Sequence, residues 1–294
     1  MFSGSLVAIV TPLRADGAID LRAWEKLLDF HAGNGTSGIV VGGSTGESGS
    51  LSDEELRELA ERACQRVGDR LVVIAGAATN CTATTVQRVR MLEGLPLKGI
   101  MVVTPSYVKP TQEGLYRHFA AVAEAASVPV VVYNVPSRTA VDLLPETMAR
   151  LAQLPRIGAI KEAVADVGRI RRLVELCGRN FPVLSGDDPT AREAVLAGAR
   201  GLISVTANVA PRAVSDMIAA AARGEKDAAE RIDRTLEPLN RALFLESNPI
   251  PVKWALAHMG LMGSHLRLPL TELSGAYHAE VLQALRSAGV KANG

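Results

Sequence analysis

Eight short runs of apolar, mostly β-branched residues recur along this chain, their starts spaced about 20 to 35 residues apart. They are SLVAIVTP (5–12), GIVVGGS (38–44), LVVIAGA (71–77), GIMVVTP (99–105), VPVVVYNVP (128–136), IGAIKEA (157–163), FPVLSGD (181–187) and GLISVT (201–206). None alternates with polar residues, the pattern of parallel strands covered on both faces. Each interval holds one strand and one helix. Helix signals fill the gaps: Ser52 stands before Asp53, Glu54 and Glu55, and Pro145, Pro189 and Pro211 lie near helix starts, where a missing N–H is harmless. Eight strands alternating with helices predict an α/β fold, the closed (β/α)8 TIM barrel. The open doubly wound sheet is the alternative, but the first turn, TPLRADGAID, lacks the G-x-G-x-x-G of such folds. Beyond about residue 224 the strand signals stop, while PVKWALAHMG (251–260) and LTELSGAYHAEVLQALRSAG (270–289) continue as helices. The expected organisation is a catalytic barrel over 1–224 and a C-terminal helical extension over 225–294, too short to be trusted as an independent domain.

Several function classes drop out on composition. With 32 basic and 31 acidic side chains the net charge is +1, so no electrostatic footprint for nucleic acid or an anionic membrane is expected. No apolar stretch approaches the ~20 residues that span a bilayer, and MFSGSLVAIVTPL has no basic leader or small-residue cleavage signature. Cys64, Cys81 and Cys177 are odd in number and widely spaced, which fits a reducing compartment and small core residues. A cytoplasmic protein is expected.

In a barrel, chemistry gathers where strands end and βα loops begin. Those ends read GGSTGES (42–48), TPSYVKP (104–110), YNVPSRT (133–139), KEA (161–163), SGDD (185–188) and SVTAN (204–208). The five histidines show no HxxH or HExxH spacing and only His118 is near a strand end in sequence, so no metal site is expected. Lys161 ends an apolar run, one of seven lysines against 25 arginines. A buried ammonium costs several kcal/mol unless it is paired or loses its proton. At a barrel mouth the neutral amine would attack a carbonyl, and the resulting imine would act as an electron sink for carbon–carbon bond chemistry. An ion pair with Glu162 or Asp187 explains the lysine equally well. Tyr133, ending the preceding strand, could shuttle protons at that imine, or be a core ring with its hydroxyl at the rim. Gly42, Gly43 and Gly46 with Ser44 and Thr45 could form an anion cradle, or only a tight connection. Arg138, in a proline-constrained loop, could hold a carboxylate bidentately, or make a surface salt bridge.

Together these motifs resemble the dihydrodipicolinate synthase family, within the pyruvate-dependent class I aldolases that include N-acetylneuraminate lyase. GSTGES, TPSYVKPTQEGLY, YNVPSRT, IKEA, LSGDD, ISVTANVAP and NPIPVKWA carry the resemblance in family order over nearly the whole chain. It implies a Schiff base between Lys161 and pyruvate and a proton relay of Ser44, Tyr133 and Tyr107, the last reaching in from a neighbouring subunit. It further implies that Thr45 holds the pyruvate carboxylate, Arg138 holds L-aspartate 4-semialdehyde, and Gly186 and Ile203 line the site through their backbones. No cofactor is implied. A homotetramer built from tight dimers is, with a product in the diaminopimelate route to lysine.

Two departures accompany the resemblance. Ser44 replaces the family's usual threonine, losing the methyl that restrains χ1. At positions of the family's lysine-feedback site the chain has Asp53, Leu56, Thr84 and Ser106, although Ser48 and Asn80 fit; without a carboxylate at Thr84 weak or absent feedback is expected. The rival enzyme reading is a pyruvate aldolase acting on a sugar acid, which Arg138 disfavours because a polyhydroxylated chain calls for neutral hydrogen-bonding groups. The rival outside enzymes is a silent barrel that binds a keto acid.

Overall fold

The computed structural model of the protein describes residues 1–292. Its eight strands are β1 (Gly4–Ala8), β2 (Gly38–Val41), β3 (Val72–Gly76), β4 (Gly99–Val103), β5 (Val130–Asn134), β6 (Ile157–Glu162), β7 (Val183–Ser185) and β8 (Gly201–Ser204). Each pairs in parallel with the next, and β8 returns to β1 through Gly4 opposite Gly201 and Val7 opposite Ser204, closing the barrel. Every strand stops short of the end of its apolar run. The leftover residues, such as Thr11 and Pro12 after β1 and Gly42–Ser44 after β2, form the loops at the barrel mouth.

Strand periodicity divides the side chains into two sets. Leu6, Val40, Ile74, Met101, Val131, Tyr133, Ala159, Leu184 and Ile203 face inward and fill the barrel with Phe2. Val7, Ile39, Val73, Val102, Val132, Ile160 and Leu202 face outward and join the apolar faces of the surrounding helices. Those helices begin where local chemistry starts them. Asp53–Val67 has the expected capping box: the Ser52 hydroxyl accepts from the Glu55 N–H at 3.2 Å and the Glu55 carboxylate from the Ser52 N–H at 2.9 Å. Pro145 and Pro211 occupy first-turn positions, while Pro189 stands two residues before the helix Ala191–Leu196.

After the eighth barrel helix, Pro211–Ala222, come Lys226–Ala242, Ile250–His258 and His278–Ser287. Leu236, Leu239, Val252, Leu256, Val281 and Leu285 are buried in the same cluster as Leu27 and Val214, so these helices share the apolar layer that surrounds the barrel. Among the described residues no helix is long and apolar enough to cross a membrane. One expectation needs correction. Cys81 is not a core residue: it is exposed at the residue preceding the helix Thr82–Met91. His118 sits within the helix Gln112–Ala125, its Nδ1 3.0 Å from Thr82 Oγ1.

Candidate active site

Lys161 lies directly opposite Tyr133 in the β5–β6 ladder. Equal register gives both side chains the same face, and here it is the inner one. Lys161 is only 4% exposed, and its Nζ is 4.3 Å from the centre of the Tyr133 ring. Ring contact favours the ammonium, but loss of hydration dominates. Burial pushes the Lys161 pKa down from 10.5 to about 8; the Asp188 carboxylate opposes this shift and the Arg138 guanidinium adds to it. At pH 7 a pKa of 8 leaves roughly one amine in ten neutral, against a few in ten thousand for an ordinary lysine.

Neither carboxylate suggested by the sequence, Glu162 or Asp187, pairs with Lys161. Glu162, one residue on, faces the helical layer, where it accepts from Arg169 Nε at 2.8 Å and from Asn134 Nδ2 at 3.1 and 3.2 Å. Arg169 also binds Asp142, at 2.7 Å. Asp187 instead takes the Thr190 hydroxyl at 2.6 Å. Buried Asp188 is engaged by the Ser204 hydroxyl and by the Val205 N–H at 2.8 Å, which closes the turn after β8. Among the described residues Lys161 has no carboxylate within salt-bridge distance.

Gly186 stands against the lysine stem: a Cβ there would lie 2.9 Å from Lys161 Cε and 3.0 Å from its Cγ. Ile203, fully buried on β8, closes the inner wall. Tyr133 and Ser44 line the same cavity, and the Tyr133 pKa is raised to about 12 chiefly by burial, with Arg138 and the Ser44 side chain pulling the other way and Glu162 adding to the rise. The phenol therefore stays protonated near neutrality and has a proton to lend.

The segment 42–50 after β2 winds through tight turns rather than running into a helix. Gly46 N–H and Ser48 N–H both bond to the Gly43 carbonyl, at 3.0 and 3.2 Å, and Glu47 N–H bonds to Ser44 O at 3.2 Å. Gly42 adopts φ +63°, and a Cβ there would approach Leu56 Cδ1 to 2.3 Å, so the turn requires glycine. Among the described residues the N–H groups of Ser44 and Thr45 have no protein acceptor, leaving two donors for an anion. Arg138 sits in the short turn Pro136–Thr139 at the rim, where its Nη2 donates to Asn248 O at 3.1 Å. Two cavities, of about 410 and 450 Å³, meet at Ser44. The first reaches past Tyr133 to Asn80, Arg88 and Ser106, the second past Arg138 and Asn248 to Arg267.

The fold thus gathers Lys161, Tyr133, Ser44, Thr45, Arg138, Gly186 and Ile203 at one mouth. Tyr107 stands apart: it is 88% exposed at φ 69° and its backbone N–H bonds to Thr139 O at 3.3 Å. Asn248, whose Nδ2 donates to Thr45 Oγ1 at 2.9 Å, and the buried pair of Lys253 with Glu47 at 2.5 Å were not expected. A lysine within the apolar helix IPVKWALAH was the available signal for the latter.

Fold and site define a (β/α)8-barrel enzyme whose mouth holds a desolvated amine beside a phenol. The chain belongs to the Dihydrodipicolinate synthetase family, whose model matches residues 1–288. It is 50% identical over 292 residues to the 4-hydroxy-tetrahydrodipicolinate synthase of Stutzerimonas stutzeri, covering 99% of this chain and all of that one. A chloride-inhibited dihydrodipicolinate synthase from Acinetobacter baumannii, solved in complex with pyruvate, superposes with a TM-score of 0.97 at 44% identity over 99% of this chain and 100% of that one. The enzyme from Cyanidioschyzon merolae, solved with lysine bound, gives 0.95 at 34% identity over 99% of each chain.

The room around Lys161 sets a direct test. Gly186→Ala should displace the lysine stem and lower kcat/KM by about 10- to 100-fold, with a loss of about 1–3 kcal/mol of stability because the new Cβ also meets Ala163 Cβ at 2.9 Å. Wild-type kcat/KM in the folded variant would contradict this packing.

Proposed function

We propose that this chain condenses pyruvate with L-aspartate 4-semialdehyde to give 4-hydroxy-tetrahydrodipicolinate, through a Schiff base on Lys161. The observation that carries the reading is the desolvated Lys161 amine, 4.3 Å from the centre of the Tyr133 ring, at the mouth of a barrel whose relatives bear that synthase name. The neutral Nζ adds to the pyruvate carbonyl, and the carbinolamine oxygen leaves as water with a proton from Tyr133. The protonated imine then acidifies the pyruvate methyl group. The Tyr133 phenolate takes that methyl proton, and the resulting enamine attacks the aldehyde carbon, whose oxygen takes the proton back from the phenol. The incoming amino group displaces Lys161 as the ring closes, its proton returning to Tyr133. Ser44 passes protons to and from the phenol. The Ser44 and Thr45 amides hold the pyruvate carboxylate, and Arg138 holds the carboxylate of the second substrate at the rim. Gly186 and Ile203 contribute through their backbones.

In this reading Tyr107 completes the relay from a neighbouring subunit, and the working form in the cytoplasm is a homotetramer of tight dimers. Exposure of Tyr107 and Val108, at 88% and 55%, and the left-handed φ values of Tyr107 and Lys109 support a loop shaped for something outside its own chain.

A coupled assay with excess dihydrodipicolinate reductase, following loss of reduced nicotinamide, should show turnover that needs both substrates. Lys161→Ala should lower it by about a thousandfold or more with the fold retained, and activity within about tenfold of wild type would contradict the Schiff-base assignment. No turnover, with pyruvate still trapped on Lys161 by borohydride, would redirect the aldehyde assignment to sugar acids.

The cavity beside Asn80 and Ser106 also holds Arg88, paired with Asp53 at 2.7 Å. A guanidinium there repels a lysine ammonium, and Thr84 offers no carboxylate to hold one. Steady-state activity should persist in millimolar L-lysine; half-inhibition at sub-millimolar L-lysine would contradict this.

A further inference from the structure

The C-terminal segment reaches the mouth at one polar residue. Asn248 is 5% exposed and spends its amide on a side chain: Nδ2 donates to Thr45 Oγ1 at 2.9 Å. A threonine hydroxyl has one proton to give and two lone pairs to fill. With Asn248 donating into one lone pair, Thr45 has its own O–H left to give, and among the described residues no protein group accepts it. The backbone of the same residue serves the rim, since Asn248 O accepts from Arg138 Nη2 at 3.1 Å. Five residues on, Lys253 meets Glu47 with both side chains at most 2% exposed, and Glu47 lies two residues after Thr45. Glu47 Oε2 also accepts the Arg267 N–H at 3.1 Å. The segment is therefore pinned to the loop that carries Thr45.

We infer that Asn248 is a positioning residue for the first substrate, its amide setting the Thr45 hydroxyl so that the O–H donates to the bound carboxylate; this rests on the function proposed above. The backbone contact to Arg138 survives any side-chain change at Asn248, so the effect belongs to the pyruvate side of the site.

The experiment reads pyruvate binding without turnover: the pyruvate concentration that half-saturates borohydride trapping on Lys161, measured by peptide mass. Asn248→Leu and Thr45→Val should each raise it by about tenfold, the loss of one charge-assisted hydrogen bond. The double variant should be no more than about twofold worse than the weaker-binding single, because both remove the same interaction. Asn248→Asp keeps the residue's shape while turning donor into acceptor and should also raise it, which keeps the test available should the leucine variant not fold. Unchanged half-saturation in either folded Asn248 variant, or effects that multiply to about a hundredfold in the double, would overturn the inference. Absence of any adduct in the unsubstituted chain would overturn the proposed function itself, and the inference with it.

Discussion

Removal of one ammonium from water is the constraint around which the mouth of this barrel is arranged. Several kcal/mol oppose burial of a charged lysine, and a carboxylate partner would offset that cost by keeping the proton on. The structure withholds that partner from Lys161 and offers an aromatic face instead. The proton is destabilised, and at neutral pH a useful fraction of the lysine is a nucleophile. Tyr133 follows the same logic with opposite sign, because burial disfavours its charged form and keeps the phenol protonated. One apolar environment therefore prepares both an amine that lacks its proton and an acid that has one.

Nearby charges are kept from undoing this by geometry. The pleat sends Glu162 outward to Arg169, with Asp142 and Asn134 completing a network behind the strand ends. The Asp188 carboxylate opposes the shift, and its oxygens are occupied by Ser204 and the backbone of the following turn. Lys253 shows the contrasting case. It is as buried as Lys161 but is given Glu47 at 2.5 Å, and so serves to hold the anion loop against the C-terminal helices. Two buried lysines differ in role because one has a carboxylate and the other does not.

The barrel was legible because eight parallel strands covered on both faces leave uninterrupted apolar runs. Strand ends were less so, since residues such as Ile9 and Val10 stay apolar and buried after the ladder ends. Most of the candidate site could be read from strand ends, where one face of each βα loop must line the mouth. The alternative of a Lys161–Glu162 ion pair falls on geometry: Glu162 follows Lys161 in sequence, yet a strand places consecutive side chains on opposite faces. Asn248 and Lys253 escaped because their partners lie 203 and 206 residues away, a separation that only the folded topology spans. Cys81 was misplaced because composition alone does not distinguish a core thiol from one at a helix start.

Burial should hold the Lys161 amine well below its ordinary pKa. With seven lysines in the chain, a ¹³C NMR titration of Cε-labelled lysine can resolve them, and the Lys161→Arg variant identifies the resonance. A midpoint near pH 8 is expected, in line with the shift that burial produces. A Lys161 midpoint at 10 or above would mean that the ammonium is stabilised in place, and the account of this barrel mouth would fail.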